Sequence, residues 1–176
     1  MNRRVTELLD LAQMQIGRLK IESEPLEMSH AITEVASQLR ILFEKKEQAL
    51  TLEIPDSLTK VNGDKGKLEQ VLVNLLSNAN KFSPTGSDIT LRAREVDRRI
   101  IVEVEDSASA VTEGEKMRLF DAYYRGEGVG KRERFSGLGL GLTISKKIME
   151  LHQGEISVES EPGKGNIFAF SLPVLD

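Results

Sequence analysis

Hydrophobic positions along this chain fall into short runs whose spacing switches between that of a helix and that of a strand. Val5, Leu9, Ala12, Ile16 and Leu19 are separated by alternating steps of four and three. This narrow seam suits a partner helix as well as it suits packing on the helix's own domain. Gly17 weakens that helix, and Glu24-Pro25 is expected to end it, because the residue before proline avoids the helical region. Ser29 is the expected cap of a second helix with Ile32, Val35, Ala36, Leu39 and Leu42 on one face. Leu50, Leu52 and Ile54 alternate as a strand stopped by Pro55-Asp56. Asp64 then caps the most regular helix of the chain, with Leu68, Val71, Leu72, Leu75, Leu76, Ala79 and Phe82 at the steps of a buried face.

After the turn Ser83-Pro84-Thr85-Gly86, two strands, Ile89 to Ala93 and Ile100 to Val104, are joined through Asp97-Arg98-Arg99. Their short connection makes them an antiparallel pair. A short helix from Glu113 to Phe120 leads into a loop, residues 126–137, rich in glycine and charge. Gly139 opens another helix that runs to about His152, and the strands Glu155 to Glu159 and Ile167 to Leu172 close the chain. Helices and strands come in runs rather than strict alternation. That order predicts an α+β fold, a sheet with helices on one face, rather than a doubly wound sheet.

Composition narrows the chemistry. None of the 176 residues is cysteine, which excludes disulfides, thiol catalysis and Cys-ligated metals, and the two histidines leave little for a His-rich site. With 28 acids against 24 scattered bases, no basic face for nucleic acid is expected. No apolar run reaches the roughly 18 to 20 residues needed to span a bilayer, so the expectation is a soluble, cytoplasmic domain, whose parent protein is free to be membrane-anchored.

Three features carry candidate chemistry. Lys67, Gln70, Asn74, Asn78 and Lys81 form a polar stripe along the long helix. Its amide oxygens suit a hard cation such as Mg²⁺ and its ammonium suits phosphate, although a polar stripe alone is more often a solvated face. Gly137-Leu138-Gly139-Leu140-Gly141-Leu142 lies where a loop becomes a helix, a place where backbone N–H groups can approach an anion. A charged loop precedes these glycines instead of a strand, and no Gly-Lys-Ser/Thr follows them, so neither the nicotinamide fingerprint nor a P-loop fits. Asp106 ends a strand beside small residues, where its carboxylate can accept from a base amino group or simply shape a turn.

In chain order, the helix Leu68 to Ser83, the strand-end Asp106, the segment Leu119-Phe120-Asp121-Ala122-Tyr123-Tyr124-Arg125-Gly126 and the Gly137 to Leu142 loop resemble the N, G1, F and G2 boxes of sensor histidine kinases. The tail from Glu150 through Gly165 continues the likeness. The resemblance implies the Bergerat ATP-binding fold of the GHKL superfamily, a two-layer α/β sandwich with a mixed sheet, here preceded by an N-terminal helix. It implies ATP and Mg²⁺ as ligands. Asn78 would coordinate the metal, Asn74 and Lys81 would support the phosphates, and Phe82 would lie beside the nucleotide. Asp106 would read the adenine amino group, flanked by positions 108 and 110, while Tyr124 and Arg125 border the pocket. Backbone amides from Gly137, Leu138, Gly139, Leu140, Gly141 and Leu142 would cradle the phosphates, and Lys131, Arg132 and Arg134 would reach them from a lid. Phosphoryl transfer needs positioning and charge neutralisation more than an acid/base pair.

By the same resemblance, residues 1–25 are the end of the second helix of a dimerisation hairpin and 26–176 the ATP-binding domain. The implied partners are a phosphoacceptor histidine domain of the same protein, a response regulator, and a second copy through residues 1–22. Neither His30 nor His152 has a phosphoacceptor's sequence context. The family pattern Asp-x-Gly-x-Gly reads Asp106-Ser107-Ala108-Ser109-Ala110 here, and Ile167 falls where a threonine is frequent. If either alanine position needs a positive φ, the cost is on the order of 1 kcal/mol, and a degenerate, weakly binding interaction module is the alternative reading.

Overall fold

A computed structural model describes residues 2–122, 124 and 139–176. Helix α1 (Arg3–Gln15) starts at Asn2, whose side chain accepts from the Arg4 N–H. It ends nine residues before the expected stop at Glu24-Pro25, because Gly17, at φ +68°, takes the left-handed position that closes a helix. Glu24 and Pro25 instead belong to the short strand β1 (Glu24–Leu26), which pairs antiparallel with β3 (Val61–Gly63). Three-residue strands carry too little periodicity to be legible in sequence, and neither was expected.

Helix α2 (Met28–Lys45) is capped by Glu27, two residues earlier than the expected Ser29; the Glu27 carboxylate accepts from the Ser29 N–H. Its buried face holds Ile32, Val35 and Ala36 as expected, but Phe43 takes the inward position and Leu42 is 39% exposed. Strand β2 (Ala49–Glu53) follows, and α3 (Lys65–Phe82) starts at the expected cap, with Asp64 accepting from the Lys67 N–H. Leu68, Val71, Leu72, Leu75, Leu76 and Ala79 are all buried, while Phe82 is half-buried at the helix end.

Strands β4 (Asp88–Val96) and β5 (Arg99–Asp106) form the expected hairpin, its two-residue turn made by Asp97 and Arg98, both at positive φ. Helix α4 (Glu113–Arg118) carries a full capping box between Thr112 and Glu115. Helix α5 (Gly141–Leu151), β6 (Glu155–Glu161) and β7 (Gly165–Pro173) complete the chain. The main sheet has the order β2-β4-β5-β7-β6, with β2 and β4 parallel and every other pair antiparallel. This is the mixed sheet the α+β reading expected.

One face of the sheet presents Ile89, Leu91, Ile100, Val102, Val104, Phe170 and Leu172 to the core, and α2, α3 and α5 pack there side by side. On the alternate positions Arg92 pairs with Glu53 and Glu105, and Arg94 with Glu103, an ion-paired outer face. Helix α3 lies between α2 and α5, so its two flanks are packed and its polar stripe emerges at the seam with α5. Among the described residues, no helix is long and apolar enough to cross a membrane.

Candidate nucleotide site

The polar stripe of α3 divides into two parts with different employment. Lys67 Nζ donates to Asp10 Oδ1 at 2.9 Å and Gln70 Nε2 to Asp10 Oδ2 at 2.7 Å, so the first half holds α1 against the domain. Asp10 is buried by that contact. The second half faces a cavity of about 220 Å³ lined by Asn74, Ser77, Asn78 and Lys81 from α3, Leu119, Tyr124, and residues 139–142 at the start of α5; Arg3, Arg4 and Glu7 close it from α1.

Asn74 sits where the three helices meet. It is buried, its Nδ2 donates to Ser145 Oγ at 3.2 Å on α5, and its Oδ1 accepts from Arg3 Nη2 at 3.2 Å on α1. Gly139 is at φ +69°, a conformation glycine adopts without strain, and Leu140 and Leu142 are buried on either side of Gly141. The apolar side chains therefore fix the turn while its backbone runs along the cavity. Helix α5 starts at Gly141, two residues later than expected, and no side chain caps it. Its first N–H groups point out of the helix end, as an anion site requires.

The Asp106 end of the site is built separately. Register in the β5–β7 pair places Asp106 opposite Asn166. Asp106 Oδ1 accepts from Ala108 N at 2.9 Å, Asn166 N at 3.3 Å and Asn166 Nδ2 at 3.0 Å. Asn166, 1% exposed, also donates to Ser109 O and accepts from Val111 N, so one amide braces the whole 106–111 turn. Ser83 Oγ, just past α3, accepts from Ser107 N at 3.2 Å and ties that turn to the helix. Neither Ala108 nor Ala110 has a positive φ, so the expected backbone cost of alanine there does not arise. Ala108 is buried and Ala110 half-buried.

Of the residues singled out in sequence, the cavity gathers Asn74, Asn78, Lys81, Tyr124, Gly139, Leu140, Gly141 and Leu142. Phe82, Asp106, Ala108 and Ala110 are not among its lining residues and adjoin it through α3 and the Ser83–Ser107 contact. Arg125, Lys131, Arg132, Arg134, Gly137 and Leu138 lie outside the described residues. Sequence reasoning missed Arg3, Arg4, Glu7, Ser77 and Asn166. The first three belong to a helix whose docking face no periodicity reveals, and Asn166 gives no signal beyond its place next to a glycine turn.

Among the described lining residues, the cations Arg3, Arg4 and Lys81 outnumber the one carboxylate, Glu7. Burial pulls the Lys81 ammonium below the ordinary lysine range, and the guanidinium groups of Arg3 and Arg4 push it further the same way. Lys81 Nζ stands 5.7 Å over the Phe82 ring, while Arg118 lies 4.6 Å over that of Tyr124. Among the described residues, no group of three His, Asp or Glu side chains could hold a metal ion. A dedicated all-protein metal cage is therefore not what this cavity offers. One amide oxygen, that of Asn78, beside several cations fits Mg²⁺ carried on phosphates, since that ion keeps water and phosphate oxygens as most of its ligands.

Residues 63–176 match the family described as histidine kinase-, DNA gyrase B- and HSP90-like ATPase, and the chain belongs to that family. Its sequence relatives are sensor histidine kinases. The adaptive-response sensory kinase SasA of Thermosynechococcus vestitus is 34% identical over 175 residues, covering 99% of this chain and 45% of that protein. The sensor histidine kinase RcsC of Escherichia coli is 34% identical over 171 residues, covering 97% of this chain and 18% of the relative. The chain thus spans less than half the length of these proteins. Among solved structures, full-length ShkA in complex with AMPPNP matches with a TM-score of 0.83 at 24% identity, over 97% of this chain and 35% of that one. The catalytic domain of histidine kinase ThkA, in a nucleotide-free form, gives 0.76 at 24% identity, over 88% and 97%. Both have this fold.

Proposed function

We propose that this chain binds ATP with Mg²⁺ and serves as the catalytic domain of a sensor histidine kinase, passing the γ-phosphoryl group to a ring nitrogen of a histidine outside it, with ADP released. The observation that carries the reading is the cavity that unites Asn74, Asn78 and Lys81 with the Gly139–Leu142 helix start. Lys81 and the α5 backbone amides offset phosphate charge, and the Asn78 amide oxygen would hold Mg²⁺, which would supply further charge neutralisation at the transferring group. Asp106, steadied by Asn166, accepts from the adenine amino group, and Phe82 lies beside the base. Neither histidine of the chain is the acceptor in this reading: His30 lacks a phosphoacceptor's sequence context, and both nitrogens of His152 are committed inside the fold.

In the same reading residues 1–25 are the end of a dimerisation hairpin and residues 26–176 the ATP-binding domain. Val5, Leu8, Leu9 and Ile16 are exposed and suit a second copy, and a response regulator is the downstream partner. Calorimetric titration with ATP and Mg²⁺ tests the reading on the chain and on Asn78→Ala. Saturable binding that Asn78→Ala weakens at least tenfold supports it; no binding, or binding indifferent to Asn78, overturns it. With γ-labelled ATP alone the chain is expected to stay unlabelled.

A further inference from the structure

We propose that Arg3 and Arg4, at the start of α1, belong to the polyphosphate-binding end of this cavity, so that nucleotide binding clamps α1 onto the domain. The inference rests on the ATP reading of the cavity. Both arginines line it together with Asn74, Asn78, Lys81 and the Gly139–Leu142 turn. Arg3 spends one N–H on Asn74 Oδ1 and one on Glu7 Oε1, each at 3.2 Å, which orients its guanidinium and leaves three of its five donors without a partner among the described residues. Among the described residues neither Arg4 nor Lys81 has an ion-pair partner. Among the described lining residues three cations and one carboxylate, that of Glu7, therefore surround a small space, an excess of two positive charges that favours an anionic ligand.

The placement of α1 is selected by polar contacts rather than by its apolar seam. Asp10 is clasped by Lys67 and Gln70 on one face of the helix, while Val5, Leu8, Leu9 and Ile16 stay exposed on another. Of the large apolar residues of α1, only Leu11 is fully buried. A helix held by a few polar bonds can detach at modest cost, and a polyphosphate that bridges Arg3, Arg4 and Lys81 adds attraction on the docked side alone. By linkage, ATP then favours docking, and docking favours ATP by the same factor.

The test is calorimetric titration of the full chain with ATP and Mg²⁺, comparing the wild type, Arg3→Gln with Arg4→Gln, Asp10→Ala, and a charge control, Arg40→Gln with Lys45→Gln, on exposed positions of α2 remote from the cavity. Thermal melts establish that each variant is folded. The arginine pair is expected to lose about tenfold or more in ATP affinity and to show a weaker dependence on salt, as loss of charge-assisted phosphate contacts requires. Asp10→Ala is expected to lose affinity in the same direction without touching the cavity, and the charge control to match the wild type. Wild-type binding that the arginine pair leaves unchanged, or tightens, overturns this inference and leaves the ATP reading standing; tightening would mean that the arginines obstruct the site. A wild type that binds no ATP overturns both.

Discussion

A Cβ on residue 141 would collide with Oδ1 of Asn74, so the start of α5 and the middle of α3 approach each other as only glycine allows. The close approach brings the α5 backbone amides beside the asparagine that also bonds Ser145 and Arg3. Gly141→Ala is therefore expected to force the Asn74 side chain aside and break its bonds to Ser145 and Arg3, with a stability loss of about 1–3 kcal/mol and at least tenfold weaker ATP binding. Urea unfolding and nucleotide titration measure the two effects, and an alanine variant with wild-type affinity would show that the placement of the Asn74 side chain does not matter to the site.

A second expectation concerns Asn166. Replacing it by alanine removes one of three donors to Asp106 Oδ1 and unties Ser109 O, while Val111 N keeps Ser160 Oγ at 2.8 Å. A cost of about 1–2 kcal/mol follows from the lost side-chain bonds, chiefly because Ser109 O loses its partner. Affinity for ATP should fall with it through the displaced Asp106 carboxylate. A variant that unfolds at the wild-type urea concentration would refute the bracing role.

How far these features were legible in sequence depends on their range. The α3 face, the Asp64 cap and the β4–β5 hairpin follow local rules, spacing and turn chemistry, and the structure has them where the pattern put them. The α1 helix obeyed a different local signal than the one weighted most: Gly17 stops it, and Pro25 lies in a strand. The cavity residues Asn74, Asn78 and Lys81 are visible because one helix carries all three at fixed steps. Arg3 and Asn166 are not, because each reaches its partner across 71 and 60 residues of chain and nothing periodic marks such a meeting.

His152 joins elements far apart in sequence. Its Nε2 accepts from Asp64 N at 2.9 Å, which leaves the ring proton on Nδ1, donated to Ile148 O at 2.7 Å. Asp64 in turn caps α3 and accepts from Glu22 N. His152→Ala is expected to destabilise the fold by about 3 kcal/mol through two lost buried bonds and a void. Chemical denaturation reads the loss, and nitrogen-15 shifts of the ring check the Nδ1–H tautomer in the wild type.

Glu27 gives the acid limb of stability. Burial alone would raise its pKa, but backbone N–H groups of Ser29 and Leu58 donate to the carboxylate and hold it below the ordinary range. A folded value lower than the unfolded value of about 4.3 means a contribution fully present above that pH and lost as the pH falls through the folded value. Glu27→Gln should therefore cost about 1 kcal/mol at pH 7 and nothing once both carboxyl states are protonated. Melting temperatures from pH 7 down to 3 should converge; a constant gap would contradict the linkage.

Lys81 sets stability against function. Burial first, and then the neighbouring Arg3 and Arg4, hold its pKa below the ordinary lysine value. Its charge is thus a burden on the ligand-free fold at neutral pH, relieved as the pH rises from the lowered folded value to the ordinary one. Lys81→Met removes the burden and keeps a flexible stem over Phe82, at the expense of a weak cation–π contact. The ligand-free variant is expected to melt at or slightly above the wild-type temperature. Bound polyphosphate reverses the sign, because the same ammonium then faces negative charge, so ATP affinity should drop about tenfold or more. Melting curves with and without ATP and Mg²⁺ measure both halves at once: the wild type should gain more from nucleotide than Lys81→Met. Equal gains would remove Lys81 from the phosphate site, whatever its effect on the empty protein.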